Sequence, residues 1–128
     1  MEAGHTFFYE GGSDDHLWVV ISDPVSYEND QVVIVCFHSY IEGRPGHDTT
    51  CILHPGDHPF ITRPTFVNYG RARWIPRDAL ERLLSYNTIR RRADLQPHIL
   101  KAVQQGAGES RHIREKFRML LTKQGIVE

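Results

Sequence analysis

Six consecutive apolar residues, VVIVCF at 32–37, decide the fold class of this chain. An unbroken run rich in β-branched side chains is typical of a central strand that is buried on both faces. Four further runs with strand composition lie around it, at 6–9, 17–21, 49–53 and 66–69. Turn-forming residues separate the runs at intervals of about a dozen residues, a spacing typical of small all-β units. This part of the sequence therefore predicts a small antiparallel barrel or sandwich.

The second half of the chain has helical periodicity instead. After Pro76, apolar residues at 79, 80, 83 and 84 repeat with the spacing of one helix face. A second helix is predicted over 95–103, and the glycines at 106 and 108 are expected to end it. Ser110 is expected to cap a last helix that contains Phe117 and Leu121.

The length of 128 residues is typical of one folded unit. We therefore expect a single domain over 1–128, with a strand-rich barrel at 1–75 and a helical extension at 76–128. The predicted fold class is α+β with a mainly β core.

The formal net charge of −1 hides a strong asymmetry along the chain. Residues 1–60 contain ten acidic residues and one basic residue, Arg44, which gives −9. Residues 61–128 contain fourteen basic and six acidic residues, which gives +8. Such an asymmetry indicates an anionic partner or a surface for self-association.

Several locations and chemistries are disfavoured by the sequence. No stretch approaches the roughly 18 apolar residues of a membrane-spanning helix, and the opening residues lack the pattern of a secretory signal. Cys36 and Cys51 lie within apolar runs and are predicted to be buried thiols. We therefore expect a cytoplasmic protein that does not associate with membranes. A nucleophile elbow and the glycine-rich nucleotide loops are missing from the sequence, so no cofactor is expected.

Histidines are the first candidates for chemistry, because six of the eight precede residue 60. His16, His38, His54 and His58 lie near predicted strand ends or turns, where an imidazole can act as a general acid or base near neutral pH. The alternative is that they are ordinary surface or turn residues. Pro and Gly between His54 and His58 prevent a helical zinc pair, so no metal is expected, and a metalloenzyme built on 47–58 is the least favoured function.

Arginines and aromatic residues alternate between residues 63 and 77. Guanidinium groups grip phosphates and aromatic rings stack on unpaired bases, a mixture that suits single-stranded RNA. The candidate nucleic-acid-binding residues are Tyr69, Arg71, Arg73 and Trp74. The alternative is an aromatic edge of the core with solvated arginines around it. The run Arg90-Arg91-Arg92 is interpreted as a solvated helix end.

Four segments in order resemble the PemK/MazF toxins of bacterial toxin–antitoxin pairs. The segments are GHTFFY at 4–9, HLWVVISD at 16–23, VIVCFHS at 33–39 and ALERLL at 79–84. They are similar to three strands of that family and to the helix that follows its barrel. The resemblance covers roughly residues 4–85 and depends on the order of the segments more than on any single motif.

This resemblance implies an SH3-like barrel that forms a homodimer, cuts single-stranded RNA without a metal and pairs with an acidic antitoxin. In the family, the ribose 2′-hydroxyl attacks the neighbouring phosphate and leaves a cyclic phosphate. His16 and Leu17 stand where the family has an arginine followed by a proline, and His38 stands where it has a threonine.

The predicted function is thus a metal-independent, toxin-like endoribonuclease. Its expected catalytic residues are His16, His38, Ser39, His58 and Arg63. This function requires Arg63, Arg71 and Arg73 to lie beside His16 and His38, because an acidic barrel would otherwise repel RNA. Two alternatives stay open: a non-catalytic module that binds nucleic acid or protein, and a toxin on the same fold that acts on a protein such as gyrase.

Overall fold

A six-stranded antiparallel sheet forms the centre of the molecule and curls into a half-barrel. The computed structural model describes residues 1–9, 16–25 and 30–128. The strands are β1 (Thr6–Tyr9), β2 (Leu17–Val20), β3 (Gln31–Ser39), β4 (Ile52–Leu53), β5 (Thr65–Pro76) and β6 (Ile89–Arg92). The helices are α1 (Arg77–Ser85), α2 (Pro97–Glu109) and α3 (Glu115–Lys123). The strand order is β4-β5-β3-β2-β1-β6, which confirms the predicted antiparallel, mainly β fold.

Strand β3 is the central strand, as the VVIVCF run predicts. It pairs with β2 on one side and with β5 on the other, and residues 32–36 are fully buried. Val33 and Val35 face a core shared with α2 and α3, whereas Val32 and Ile34 face a second core closed by Leu80 of α1. Both faces of the sheet are therefore covered by helices along part of their length.

Strand β5 is much longer than the four residues predicted at 66–69. Cys36 of β3 pairs with Asn68, while Ile34, two residues away, pairs with Arg73. Strand β5 therefore carries three extra residues in this interval, which form a bulge around Gly70. The bulge interrupts the alternation of inward-facing and outward-facing side chains along β5. The second half of the strand therefore has the sequence pattern of a loop.

Other predicted elements need correction. Thr49 and Thr50 lie outside β4, which contains only Ile52 and Leu53. Glycines 106 and 108 lie inside α2, which continues to Glu109. Ser110 is not the cap of the last helix, because α3 begins after Arg114.

The arginine run at 90–92 is not a helix end either. It forms most of β6, which pairs with β1 at the edge of the sheet. In the described part of the chain, no helix is long and apolar enough to cross a membrane.

Candidate active site

The register of two strands brings His16 and His38 together. Trp18 of β2 pairs with Cys36 of β3, and the same antiparallel register, extended by two residues, sets His16 opposite His38. The two imidazole rings stack with centroids 3.7 Å apart and planes inclined by 17°. Two histidines that are 22 positions apart in sequence therefore form one unit on the sheet.

Hydrogen bonds orient both rings. His16 Nδ1 lies 3.1 Å from the carbonyl oxygen of Phe37, to which it can only donate, so the lone pair of the neutral ring is on Nε2. His38 Nε2 lies 3.4 Å from Asn68 Nδ2 and 3.3 Å from Cys36 Sγ. The pair is thus held by groups of β3 and β5.

A cavity of about 400 Å³ opens beside His16 at the end of β3. It is lined by His16, Leu17, Phe37, Ser39, Phe60, Ile61, Thr62, Arg63 and Thr65. Three of the five expected catalytic residues therefore share one cavity: an imidazole, a hydroxyl and an exposed guanidinium. Such a set can accept a proton and stabilise negative charge on a phosphate. We call this space the His16 cavity.

His58 lies outside the His16 cavity. Its ring is buried, with 3% of its surface exposed. Its Nε2 lies 2.6 Å from the carbonyl oxygen of Ala93, and its Nδ1 accepts the N–H of Phe60 at 3.0 Å. Both ring nitrogens therefore bind backbone groups, and His58 ties the loop before β5 to the segment after β6. The geometry gives it a structural position instead of the expected catalytic one.

Arg71 and Arg73 lie over the indole ring of Trp18. The guanidinium carbons are 5.8 Å and 4.9 Å from the ring centroid. Trp18 follows His16 by two residues, and side chains two apart on a strand share a face. The two arginines therefore lie along the same face of the sheet as the histidine pair, and Arg63 lies in the His16 cavity itself.

Tyr69 is not available to stack on a base. It is fully buried, and its hydroxyl donates to the carbonyl oxygen of Val103 at 2.6 Å. Burial raises the pKa of the Tyr69 phenol, and the neighbouring Cys51 raises it further. Tyr69 therefore belongs to the core between the sheet and α2. The bulge next to it could not be predicted from the alternation of arginines and aromatic residues.

Trp74 is half-buried, with its ring 6.0 Å from that of Phe117. It therefore links β5 to α3 and keeps part of its surface accessible.

Sequence reasoning missed two aromatic groups near the histidine pair. The Phe66 ring lies 5.5 Å from His38 and 4.4 Å from His47, so the array of rings continues across β5. Phe60 lines the His16 cavity with 41% of its surface exposed. The strand register could have indicated Phe66, which pairs with His38, but no sequence signal places the loop residue Phe60.

The cysteines and the possible metal ligands were also candidates for chemistry. Both cysteines are buried, as predicted, and burial raises the pKa of the Cys51 thiol. Among the residues that the structure describes, no group of three or more His, Cys, Asp or Glu side chains is placed to hold a metal ion.

Comparison with known proteins gives a likeness of fold. By sequence, no family model and no curated protein matches the chain. By structure, it is similar to an endoribonuclease solved in complex with its cognate antitoxin from a mycobacterial species, with a TM-score of 0.54 and 15% identity over 85% of this chain and 92% of the other. The chain has a MazF-like fold.

A second solved structure agrees. The MazE–MazF complex from Deinococcus radiodurans matches in two crystal forms, with TM-scores of 0.52 and 0.50 and 15% identity. The matches cover 85% of this chain and 92% or 93% of the other. The resemblance to PemK/MazF toxins predicted from four sequence segments is therefore confirmed in the fold.

Proposed function

We propose that the chain is a toxin-like endoribonuclease that cleaves single-stranded RNA without a metal ion. The observation that carries the proposal is the His16 cavity, in which His16, Ser39 and Arg63 meet beside the stacked ring of His38. The MazF-like fold supports it, because one solved protein with this fold is described as an endoribonuclease.

The proposed reaction is an internal transfer of the phosphoryl group. One ring of the histidine pair takes the proton of the ribose 2′-hydroxyl, and O2′ forms a bond to phosphorus while the bond from phosphorus to O5′ breaks. The other ring, in its protonated form, gives a proton to O5′. Arg63 stabilises the charge on the phosphorane, and Ser39 offers a hydroxyl to a phosphate oxygen. The products are a 2′,3′-cyclic phosphate and a 5′-hydroxyl.

The test is the cleavage of single-stranded RNA by the purified protein in EDTA at several pH values. His16→Ala and His38→Ala should each lower the rate by about 10²- to 10⁴-fold, the range for loss of general acid–base catalysis. RNA affinity should change little. His98→Ala, which removes an exposed histidine on α2, is the matched control and should leave the rate unchanged. RNA left intact by the wild-type protein at every pH would refute the proposal.

A non-catalytic binding module is the second candidate, because His16 and His38 replace the arginine and threonine of the family. Such a module would bind RNA with a salt dependence set by its basic residues and release no cyclic-phosphate product. Growth arrest on expression with total RNA intact would instead indicate a toxin that acts on a protein.

We further infer a cytoplasmic homodimer that an acidic antitoxin partner holds inactive. The solved structures named above are complexes, one with a cognate antitoxin and one of MazE with MazF. Light scattering of the purified chain tests the dimer. A small acidic protein encoded by the adjacent reading frame, which abolishes cleavage when it is added, would identify the antitoxin.

A further inference from the structure

A second cleft lies between β5 and the beginning of α3, away from the His16 cavity. It has a volume of about 450 Å³. It is lined by Gln31, Arg73, Trp74, Arg114, Lys116 and Phe117. We call it the basic cleft. Arg114 precedes α3 directly, and Lys116 lies in its first turn.

The three cations of the basic cleft are held by aromatic rings instead of carboxylates. Arg114 and Lys116 lie over the Phe117 ring at 5.7 Å and 5.1 Å from its centroid. Arg73 lies 4.9 Å from the centroid of Trp18. Cation–π contact orients a charge without neutralising it. The positive potential in the basic cleft therefore remains available to an anion.

Glu115, the acidic residue next to both Arg114 and Lys116 in sequence, does not pair with either of them. Its carboxylate pairs with Arg118 instead. Within residues 1–9, 16–25 and 30–128, no carboxylate forms an ion pair with Arg73, Arg114 or Lys116. The described surroundings of the basic cleft therefore leave three positive charges uncompensated.

The basic cleft and the His16 cavity lie at opposite ends of the same strands. Ser39, at the end of β3, lines the cavity, and Gln31, at its beginning, lines the cleft. Eight residue steps at about 3.3 Å each separate the two ends by roughly 26 Å. Arg71 lies on β5 between them, and Arg73 lines the basic cleft itself. An extended polyanion along β5 would therefore meet positive charge in the His16 cavity, at Arg71 and in the basic cleft.

We propose that the basic cleft binds the phosphodiester backbone of single-stranded RNA at a distance from the bond that is cut. Trp74, half-exposed beside the three cations, offers a ring on which an unpaired base can stack. The alignment with the His16 cavity along β5 favours RNA over an acidic peptide. The inference rests on the proposed function for its choice of ligand, but it concerns binding and not cleavage.

The test uses 2′-O-methylated oligoribonucleotides of about 4 and about 16 nucleotides, the range of single-strand site sizes. They lack the 2′-hydroxyl nucleophile, so binding is measured without cleavage. The Arg114→Ala/Lys116→Ala double variant should lose the affinity that the wild-type protein gains with the longer probe. Its slope of log affinity against log salt should fall by about 1.4, at about 0.7 for each phosphate contact.

The matched control is Arg82→Ala/Lys101→Ala, which removes the same charge from exposed positions on α1 and α2. It should keep the wild-type slope, and circular dichroism should show both variants folded. Equal slopes for the two double variants would overturn the inference. Binding of a polyglutamate peptide without binding of the RNA probes would also overturn it, in favour of an acidic protein segment.

The inference and the proposed function fail separately. RNA that stays intact while the salt slope depends on Arg114 and Lys116 refutes the cleavage and supports the basic cleft. If RNA is cut but the salt slope is unchanged in the Arg114→Ala/Lys116→Ala variant, the proposed cleavage is supported and RNA binding in the basic cleft is refuted.

Discussion

Asp48 is a buried carboxylate held by hydroxyl and amide donors. Its side chain is 5% exposed, Ser110 Oγ donates to Oδ2 at 2.6 Å, and the Thr50 N–H donates to Oδ1 at 2.9 Å. Burial by itself would raise the pKa of Asp48, but the hydrogen bonds from Ser110 and Thr50 outweigh it and hold the pKa below its ordinary value. This cluster joins the loop before β4 to the end of α2, which explains why Ser110 does not cap the last helix.

The depressed pKa of Asp48 makes stability depend on pH. The ionised form is favoured by the fold, so its contribution is fully present above the unfolded pKa of about 3.9 and is lost as pH falls through the lower folded pKa. Ser110→Ala should lower the free energy of unfolding at pH 7 by about 1–3 kcal/mol, because a buried carboxylate loses a donor. It should also reduce the loss of stability between pH 5 and pH 2, since the pKa of Asp48 moves back towards its ordinary value. Urea titrations across this range measure both effects.

Ser85→Ala is the control for this prediction. The Ser85 hydroxyl also donates a hydrogen bond, to the carbonyl oxygen of Arg82, but it is exposed. Its removal should change stability by less than about 0.5 kcal/mol and leave the pH dependence as it is. A Ser110→Ala profile parallel to that of the wild-type protein would contradict the role given to the Asp48 cluster.

Gly106 is required by the close approach of Tyr69 to α2. A Cβ atom at position 106 would collide with the Tyr69 hydroxyl and lie 3.2 Å from Cys51 Cβ. Gly106→Ala should therefore destabilise the protein by about 1–3 kcal/mol, the usual cost of overpacking. In an ordinary helix interior the same change would stabilise by about 1 kcal/mol. Urea unfolding measures the sign directly.

A double-mutant cycle identifies the cause of this effect. In the background of Tyr69→Phe, which removes the hydroxyl, Gly106→Ala should cost less than in the wild-type protein. Ala102→Gly, at an exposed position of α2, should cost about 1 kcal/mol and show that the helix otherwise follows normal propensity. A stabilising Gly106→Ala would refute the close approach.

At the scale of elements, β6 is a strand that the sequence does not predict. Three of its four residues are exposed arginines, and only Ile89 is buried, at 1% exposure. Ile89→Ala should lower the free energy of unfolding by about 2–5 kcal/mol because it opens a void under α1. Ile41→Ala, at a residue that is 46% exposed, should change stability by less than about 0.5 kcal/mol. Equal effects of the two substitutions would show that β6 does not seal this core.

Strands with their own apolar run could be predicted, and strands defined by pairing could not. Runs 6–9, 17–21 and 32–37 carry a burial signal in the chain itself, and the structure has strands there. The second half of β5 and all of β6 are strands because of their partners, β3 and β1. Arginine-rich sequence in such positions has no intrinsic signature that separates it from a helix end or a loop.

The same distinction applies to the candidate site. His16 and His38 could be selected from their places at strand ends, and the register of β2 and β3 then explains their contact. The sequence also predicts Arg63 and Ser39 as site residues, and both lie in the His16 cavity. His58 has the same local sequence signal, but its ring nitrogens bind the backbone of Ala93 and Phe60. The spacing of residues in the sequence cannot predict these two contacts.

At the scale of the whole molecule, the two charge halves of the sequence interleave. Strand β5 from the basic half lies between β4 and β3 of the acidic half, and β6 flanks β1. Among the strands that the structure describes, the basic residues form strips along β5 and β6 beside neutral strands. This geometry can hold a polyanion against the histidine pair.

This interleaving also predicts how the protein unfolds. One core contains residues of the sheet together with Val103 of α2 and Leu121 of α3. Neither the sheet nor the two helices can therefore bury their apolar faces without the other. We therefore expect one cooperative transition over the whole chain, as a single domain would show.

The two tryptophans report on different places, since Trp18 lies on the face closed by α1 and Trp74 lies against Phe117 of α3. Trp18→Phe and Trp74→Phe leave one reporter each, and urea unfolding followed by fluorescence should agree with circular dichroism within each variant. A fluorescence transition at lower urea than circular dichroism in the variant that keeps Trp74 would show instead that the helices leave the sheet before it unfolds.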